Sequence, residues 1–117
     1  MNPARLRRIA GASLGLAALL AWAAPTPSCA DDLPEIQLTN GRYEPSELIV
    51  PAGQPFKVRV SNRTDEAIEF ESFELHRERV VPPGQTIEVS FPSLSPGSYE
   101  FFDDFHDSVE HGAIVVK

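Results

Sequence analysis

Residues 86–102 read TIEVSFPSLSPGSYEFF and carry the strongest structural signal in the chain. From Thr86 to Phe91, apolar residues alternate strictly with polar ones, as they do in a β-strand that has one buried face. A Ser-Pro-Gly turn at residues 95–97 separates this run from a second apolar-rich run at residues 98–102. The stretch therefore predicts two strands and a short connection, with no helix between them.

The same organisation extends to the rest of the chain. Residues 56–60 (FKVRV) and 68–71 (IEFE) alternate in the same way, and no window of a dozen residues has a sustained helical period. Turn residues recur about every 8–12 positions, which is typical of a β-sandwich. We therefore predict an all-β sandwich of about seven or eight strands. The predicted strands cover residues 35–39, 46–50, 56–60, 68–71, 86–91, 98–102 and 113–116.

The N-terminus has a different character. Three arginines within the first eight residues precede an uncharged, mostly apolar run at residues 9–24. This order predicts a secretory signal peptide at residues 1–30, and it leaves residues 31–117 as a single secreted domain. The apolar run is shorter than the roughly 20 residues of a spanning helix, so we expect no stable membrane span after processing. A retained anchor and a lipoprotein modified at Cys29 are the alternatives.

Composition excludes several classes of function. The chain has 10 Lys+Arg against 17 Asp+Glu and a net charge of −7, which argues against nucleic acid as a partner. Its only Cys lies in the predicted signal peptide, so the domain has no disulfide, thiolate ligand or Cys nucleophile. No Ser lies in a nucleophile elbow. A carboxylate pair for glycoside hydrolysis is conceivable, but a domain this small leaves little room for a sugar cleft.

Two acidic segments contain the candidate chemistry. Carboxylates and imidazoles close together are suitable ligands for iron, copper, zinc or manganese. Each residue also has an ordinary alternative: a solvated sheet face, an exposed ion pair, or a loop histidine that caps a turn. His76 is a weaker candidate for a peripheral ligand. The predicted ligands are Glu69, Glu71 and Glu78 in the first segment, and Asp103, Asp104, His106 and His111 in the second.

The order of these features resembles the cupredoxins, which are Greek-key β-sandwiches. In that family a PGxYxFxC strand leads into a Cys-x2-His-x4-Met ligand loop, and residues 96–102 here read PGSYEFF. On this pattern Asp103 lies at the Cys position, His106 at the His and His111 at the Met. Because a blue-copper site needs a Cys thiolate, the resemblance implies a cupredoxin-like domain without a blue-copper site. Either Asp103 or Asp104 is then the ligand, since adjacent strand residues point to opposite faces.

Within that family the chain is similar to the EfeO-type domains of periplasmic iron-uptake systems. The similarity lies in the EFES segment at residues 69–72, the Arg77-Glu78 pair before the VVPPG segment at residues 80–84, and the DDFH segment at residues 103–106. It implies an iron and/or copper ion held by Glu, Asp and His, and a membrane iron permease or other periplasmic uptake components as partners. The alternatives are a copper-dependent ferrous-iron oxidase and a β-sandwich that binds only a protein partner.

Overall fold

The computed structural model describes residues 32–117, together with Gly11 and Gly15. The predicted signal peptide at residues 1–30 lies outside the described residues, apart from those two glycines, and it stays a prediction. No helix in the described part of the chain is long and apolar enough to cross a membrane.

Nine strands form in the described part of the chain, which confirms the all-β prediction. They are β1 (Glu35–Thr39), β2 (Arg42–Glu44), β3 (Glu47–Val50), β4 (Phe56–Asn62), β5 (Ile68–Ser72), β6 (Arg77–Val81), β7 (Thr86–Phe91), β8 (Gly97–Asp103) and β9 (Gly112–Val116). Their order is β2-β1-β4-β7 in one sheet and β3-β9-β8-β5-β6 in the other. The pairs β1–β4 and β3–β9 are parallel, and the remaining pairs are antiparallel.

The sequence-based prediction found seven of these strands and missed β2 and β6. Strand β2 is only three residues long, and it pairs with β1 through a turn in which Asn40 and Gly41 both have positive φ angles. Strand β6 reads RERVV and buries only Val81, because it lies at the edge of its sheet. Neither strand has the alternation that revealed the others.

The core lies between the inward faces of the two sheets. The ring of Phe101 lies at its centre, with the ring of Tyr43 at 4.9 Å and that of Phe70 at 5.1 Å. All three side chains are buried, and aromatic packing of this kind contributes beyond the area it removes from water. Buried Ile, Leu and Val side chains from both sheets surround these rings, including Ile36, Leu38, Val58, Val60, Ile68, Val81, Val89, Ile114 and Val116.

Strand β5 is central to the candidate site because it lies between β6 and β8. Its Glu71 lies opposite Glu78 of β6 and Phe102 of β8, while Phe70 lies opposite Asp103. Successive side chains of a strand point to opposite faces. This register therefore places Glu69, Glu71 and Glu78 on the outer face of the sheet, and Asp103 on the inner face.

Gly112 in β9 tests how tightly the core packs around Phe101. A Cβ atom at position 112 would lie 2.4 Å from Cζ of the Phe101 ring and 3.0 Å from the Ser46 carbonyl oxygen. Since the ring is fully buried and cannot move aside, we expect Gly112→Ala to lower the free energy of unfolding by about 1–3 kcal/mol in urea denaturation. Gly97→Ala is the matched control, because its Cβ would have no neighbour nearer than 3.7 Å. Equal stabilities for the two variants would contradict this packing.

Candidate metal centre

Three carboxylates meet on the outer face of β5. Glu69 and Glu71 are two residues apart on that strand, and Asp104 directly follows β8. Each of the three offers one ligand atom, and these atoms lie within 4.8 Å of one another. We call Glu69, Glu71 and Asp104 the carboxylate cluster. Glu78, which lies opposite Glu71 on β6, brings a fourth carboxylate close to it.

The surroundings of Glu69 and Glu71 oppose the ionisation of these two side chains. Only 6% of Glu69 is exposed. Burial, a hydrogen bond to Glu78 and the negative charges of its neighbours raise the pKa of Glu69 to about 7. Burial and the charges of Asp104 and Glu78 also raise the pKa of Glu71. None of the ion pairs among the described residues involves these four carboxylates.

Asp103 points away from the carboxylate cluster and into the protein, where its side chain is fully buried. Its Oδ1 accepts hydrogen bonds from the backbone N–H groups of Glu69 at 3.0 Å and Phe105 at 3.1 Å. Its Oδ2 lies 2.7 Å from Nδ1 of His106. The buried carboxylate is therefore fully partnered within the chain, as a buried charge must be.

His106 bridges two carboxylates. Its Nε2 lies 2.7 Å from Oε2 of Glu66, on the side of the ring opposite to Asp103. These two hydrogen bonds, that to Asp103 first, raise the pKa of His106. Both ring nitrogens face acceptors, so both donate only in the imidazolium form. We call Glu66, Asp103 and His106 the histidine clamp.

Glu66 was not predicted as part of the site. Asn62, at the end of β4, organises the loop that carries it. The Asn62 side-chain amide donates to the Glu66 carbonyl at 2.7 Å and to the Val81 carbonyl at 3.0 Å, and its oxygen accepts from the Thr64 N–H at 3.0 Å. The sequence pattern could not predict the contact of Glu66 with His106, because the two residues are 40 positions apart in the chain.

Neither of the other two histidines belongs to the carboxylate cluster, although His76 lines a pocket that Glu71 and Glu78 also line. Nδ1 of His111 is 3.0 Å from Oε1 of Glu100, and its half-exposed ring stacks on Phe102 at 5.1 Å. His76 is exposed in the turn before β6 and has a φ angle of 52°. In the described part of the chain, the only group of three or more potential ligands contains no histidine.

Comparison with known proteins identifies the family. The model of the cupredoxin-like domain matches residues 12–116. This chain is a member of the cupredoxin-like domain family. An uncharacterized protein of Rickettsia prowazekii (strain Madrid E) is 35% identical over 89 residues, which cover 74% of this chain and 71% of that relative.

Solved structures with a similar fold agree with this assignment. The purple cupredoxin from Nitrosopumilus maritimus has a TM-score of 0.57 at 20% identity and covers 72% of this chain and 99% of its own. The metal-binding domain of the Cu(I)-exporting P-type ATPase CopA of Streptococcus pneumoniae has a TM-score of 0.63 at 19% identity, with coverages of 71% and 82%. Reduced auracyanin from Roseiflexus castenholzii has a TM-score of 0.59 at 18% identity, and the match covers 71% of this chain and 94% of auracyanin. At these identities, the similarity shows the fold.

The structure divides the seven predicted ligands of this cupredoxin-like domain into separate groups. Glu69, Glu71 and Asp104 form the carboxylate cluster, with Glu78 beside it. The residues at the Cys and His positions of the cupredoxin pattern, Asp103 and His106, belong to the histidine clamp, and His111 pairs with Glu100. Their roles as ligands stay predictions. The sequence left open whether Asp103 or Asp104 is the ligand, and only Asp104 lies with the two glutamates.

Replacement of Glu69 tests the electrostatics of the carboxylate cluster without metal. The folded-state pKa of about 7 is above the ordinary value of 4.5, so the folded protein holds this proton more tightly than the unfolded chain does. The contribution of Glu69 to the free energy of unfolding is then greatest below pH 4.5 and is lost as the pH rises through about 7. Glu69→Gln removes this loss, and we expect it to melt a few degrees higher than the wild type at pH 8, but close to it at pH 4.

The measurement is thermal unfolding in the presence of a chelator, followed by circular dichroism. Glu47→Gln is the control, because Glu47 is an exposed residue of β3 in the same sheet. A Glu69→Gln variant that is less stable than the wild type at both pH values would show that the ionised carboxylate is stabilised where it lies.

Proposed function

We propose that this cupredoxin-like protein binds a metal ion through Glu69, Glu71 and Asp104, with iron as its principal ion and copper as the alternative. One observation carries the proposal. Glu69 is more than nine-tenths buried, and its carboxylate faces other carboxylates without a Lys or Arg partner among the described residues. A buried charge of this kind must be protonated, paired with a cation or coordinated to a metal.

The donor set fits a hard cation. Carboxylate oxygens are the preferred ligands of hard ions, and they occupy three positions around one point on the outer face of β5. Burial and then the charges of neighbouring carboxylates raise the pKa values of Glu69 and Glu71, and a bound cation would neutralise that repulsion. Because the domain has no thiolate, the set does not fit a blue-copper centre.

The physiological role that we propose is that of an accessory in ferrous-iron uptake in the periplasm, beside a membrane iron permease or other uptake components. Support comes from the EfeO-type motifs of the sequence. The two glutamates of the EFES segment at residues 69–72 and the second aspartate of the DDFH segment at residues 103–106 are the residues of the carboxylate cluster. The predicted signal peptide supports the periplasmic setting.

Metal titration of residues 31–117 tests the binding function. We expect Fe(II) under anaerobic conditions, and Mn(II) as its air-stable analogue, to raise the melting temperature. An ion at 100 times its Kd stabilises the folded state by about 2.7 kcal/mol. Glu69→Gln, Glu71→Gln and Asp104→Asn should each abolish most of this increase, because each removes one ligand.

Glu47→Gln is again the matched control and should respond to metal as the wild type does. Cu(II) and Zn(II) in the same series establish selectivity. If no ion raises the melting temperature of the wild type, metal binding is wrong, and a sandwich that only binds a protein partner becomes the better interpretation.

Oxidation of ferrous iron is the second candidate function, and the donor set favours it. Hard anionic oxygens stabilise the more highly charged ferric ion relative to the ferrous ion. The test is dioxygen uptake by Fe(II) in the presence of the protein, with and without Cu(II). A rate of dioxygen uptake that exceeds the rate in buffer, and that falls to the buffer rate in Glu69→Gln, would support an oxidase. If the wild-type rate equals the rate in buffer, the oxidase function is wrong and metal binding is the remaining function.

A further inference from the structure

The carboxylate cluster depends on a backbone tether below it. Oδ1 of Asp103 accepts hydrogen bonds from the N–H of Glu69 on β5 and from the N–H of Phe105 beyond β8. In addition, the N–H of Asp104 donates to the carbonyl oxygen of Glu69 at 3.0 Å. One buried carboxylate therefore fixes the backbone of Glu69 against the backbone on either side of Asp104.

The second carboxylate oxygen of Asp103, Oδ2, pairs with His106, and this contact fixes the position of Asp103. Nδ1 of His106 lies 2.7 Å from Oδ2, and Nε2 of the same ring lies 2.7 Å from Oε2 of Glu66. Since both ring nitrogens are already paired with carboxylate oxygens of the chain, neither is left to coordinate an ion. Asn62 fixes the loop of Glu66 to β4 and β6. A continuous chain of hydrogen bonds thus runs from the end of β4 to Glu69.

We propose that Glu66, Asp103 and His106 are positioning residues that hold Glu69 and Asp104 together for the metal ion, and that they are not its ligands. This inference rests on the proposed function of the carboxylate cluster. Like charges repel, and Glu69 and Asp104 lie just beyond the last paired residues of β5 and β8, so the hydrogen bonds of Asp103 hold the two strands together where their pairing ends. Partners behind the ligands commonly change metal affinity by 10–100-fold without touching the ion.

Two substitutions of His106 separate positioning from ligation. His106→Ala removes both hydrogen bonds, whereas His106→Arg supplies a permanently charged guanidinium with several donors and no lone pair for a metal. The side chain of His106 is 30% exposed, which leaves room for the longer Arg. We expect Mn(II) affinity, measured by calorimetry, to fall about 10-fold or more in His106→Ala and to recover to within about 3-fold of the wild type in His106→Arg.

Pulsed electron paramagnetic resonance of the Cu(II)-loaded protein gives a second readout. An imidazole ligand adds a nitrogen modulation to the copper signal. We expect this part of the spectrum to be the same in the wild type and in His106→Ala. His76→Asn removes the imidazole that lines the pocket of Glu71 and Glu78, so the comparison of the two variants shows which histidine gives any nitrogen signal. Asn tolerates the positive φ angle at position 76. Circular dichroism verifies that each variant is folded.

The outcomes distinguish the two proposals. If the wild type binds neither Mn(II) nor Cu(II), the proposed function fails and the positioning role fails with it. If the wild type binds and His106→Ala binds equally well, only the positioning role is wrong. A loss of affinity in both variants, together with loss of a nitrogen signal in His106→Ala, would make His106 a ligand and overturn the inference.

Discussion

The buried carboxylate of Asp103 is the contact on which the rest of the site depends. It lies at the end of β8, where strand geometry points it inward and points its neighbour Asp104 outward. A carboxyl group at this depth is tolerable only with full hydrogen bonding. The partners that provide this are the backbone of β5, the turn after β8 and the imidazole of His106. The same bonds that stabilise Asp103 therefore also position the outer carboxylates.

The outer carboxylates differ from an ordinary acidic surface in their burial and in their partners. An exposed Glu on a sheet face is solvated and has a pKa near 4.5, but Glu69 is almost fully buried and its pKa is raised to about 7. The backbone holds it beside Glu71 and Asp104 despite their repulsion. Keeping like charges together in this way lowers the stability of the folded state at high pH and raises its affinity for cations. This connects the electrostatics to the proposed function.

The sequence predicted the sandwich because apolar and polar residues alternate along its longer strands. It named Glu69, Glu71 and Asp104 among seven candidate ligands, but it did not separate these three from the rest and left the choice between Asp103 and Asp104 open. It did not predict β6, whose RERVV segment pairs along only one edge, or Glu66, which lies in a loop without a pattern. Spacing along the chain also suggested one shared ion for Asp and His residues. The structure separates them, because the two faces of β8 send Asp103 and Asp104 to different environments.

The most direct test is an anomalous difference map from crystals of residues 31–117 saturated with Mn(II). We expect one strong peak within coordination distance of the carboxylate oxygens of Glu69, Glu71 and Asp104. His106 should still bridge Glu66 and Asp103 in the same crystals. A peak bonded to His106 and Asp103, or well-ordered crystals with no peak at the carboxylate cluster, would contradict the assignment of this cluster as the metal site.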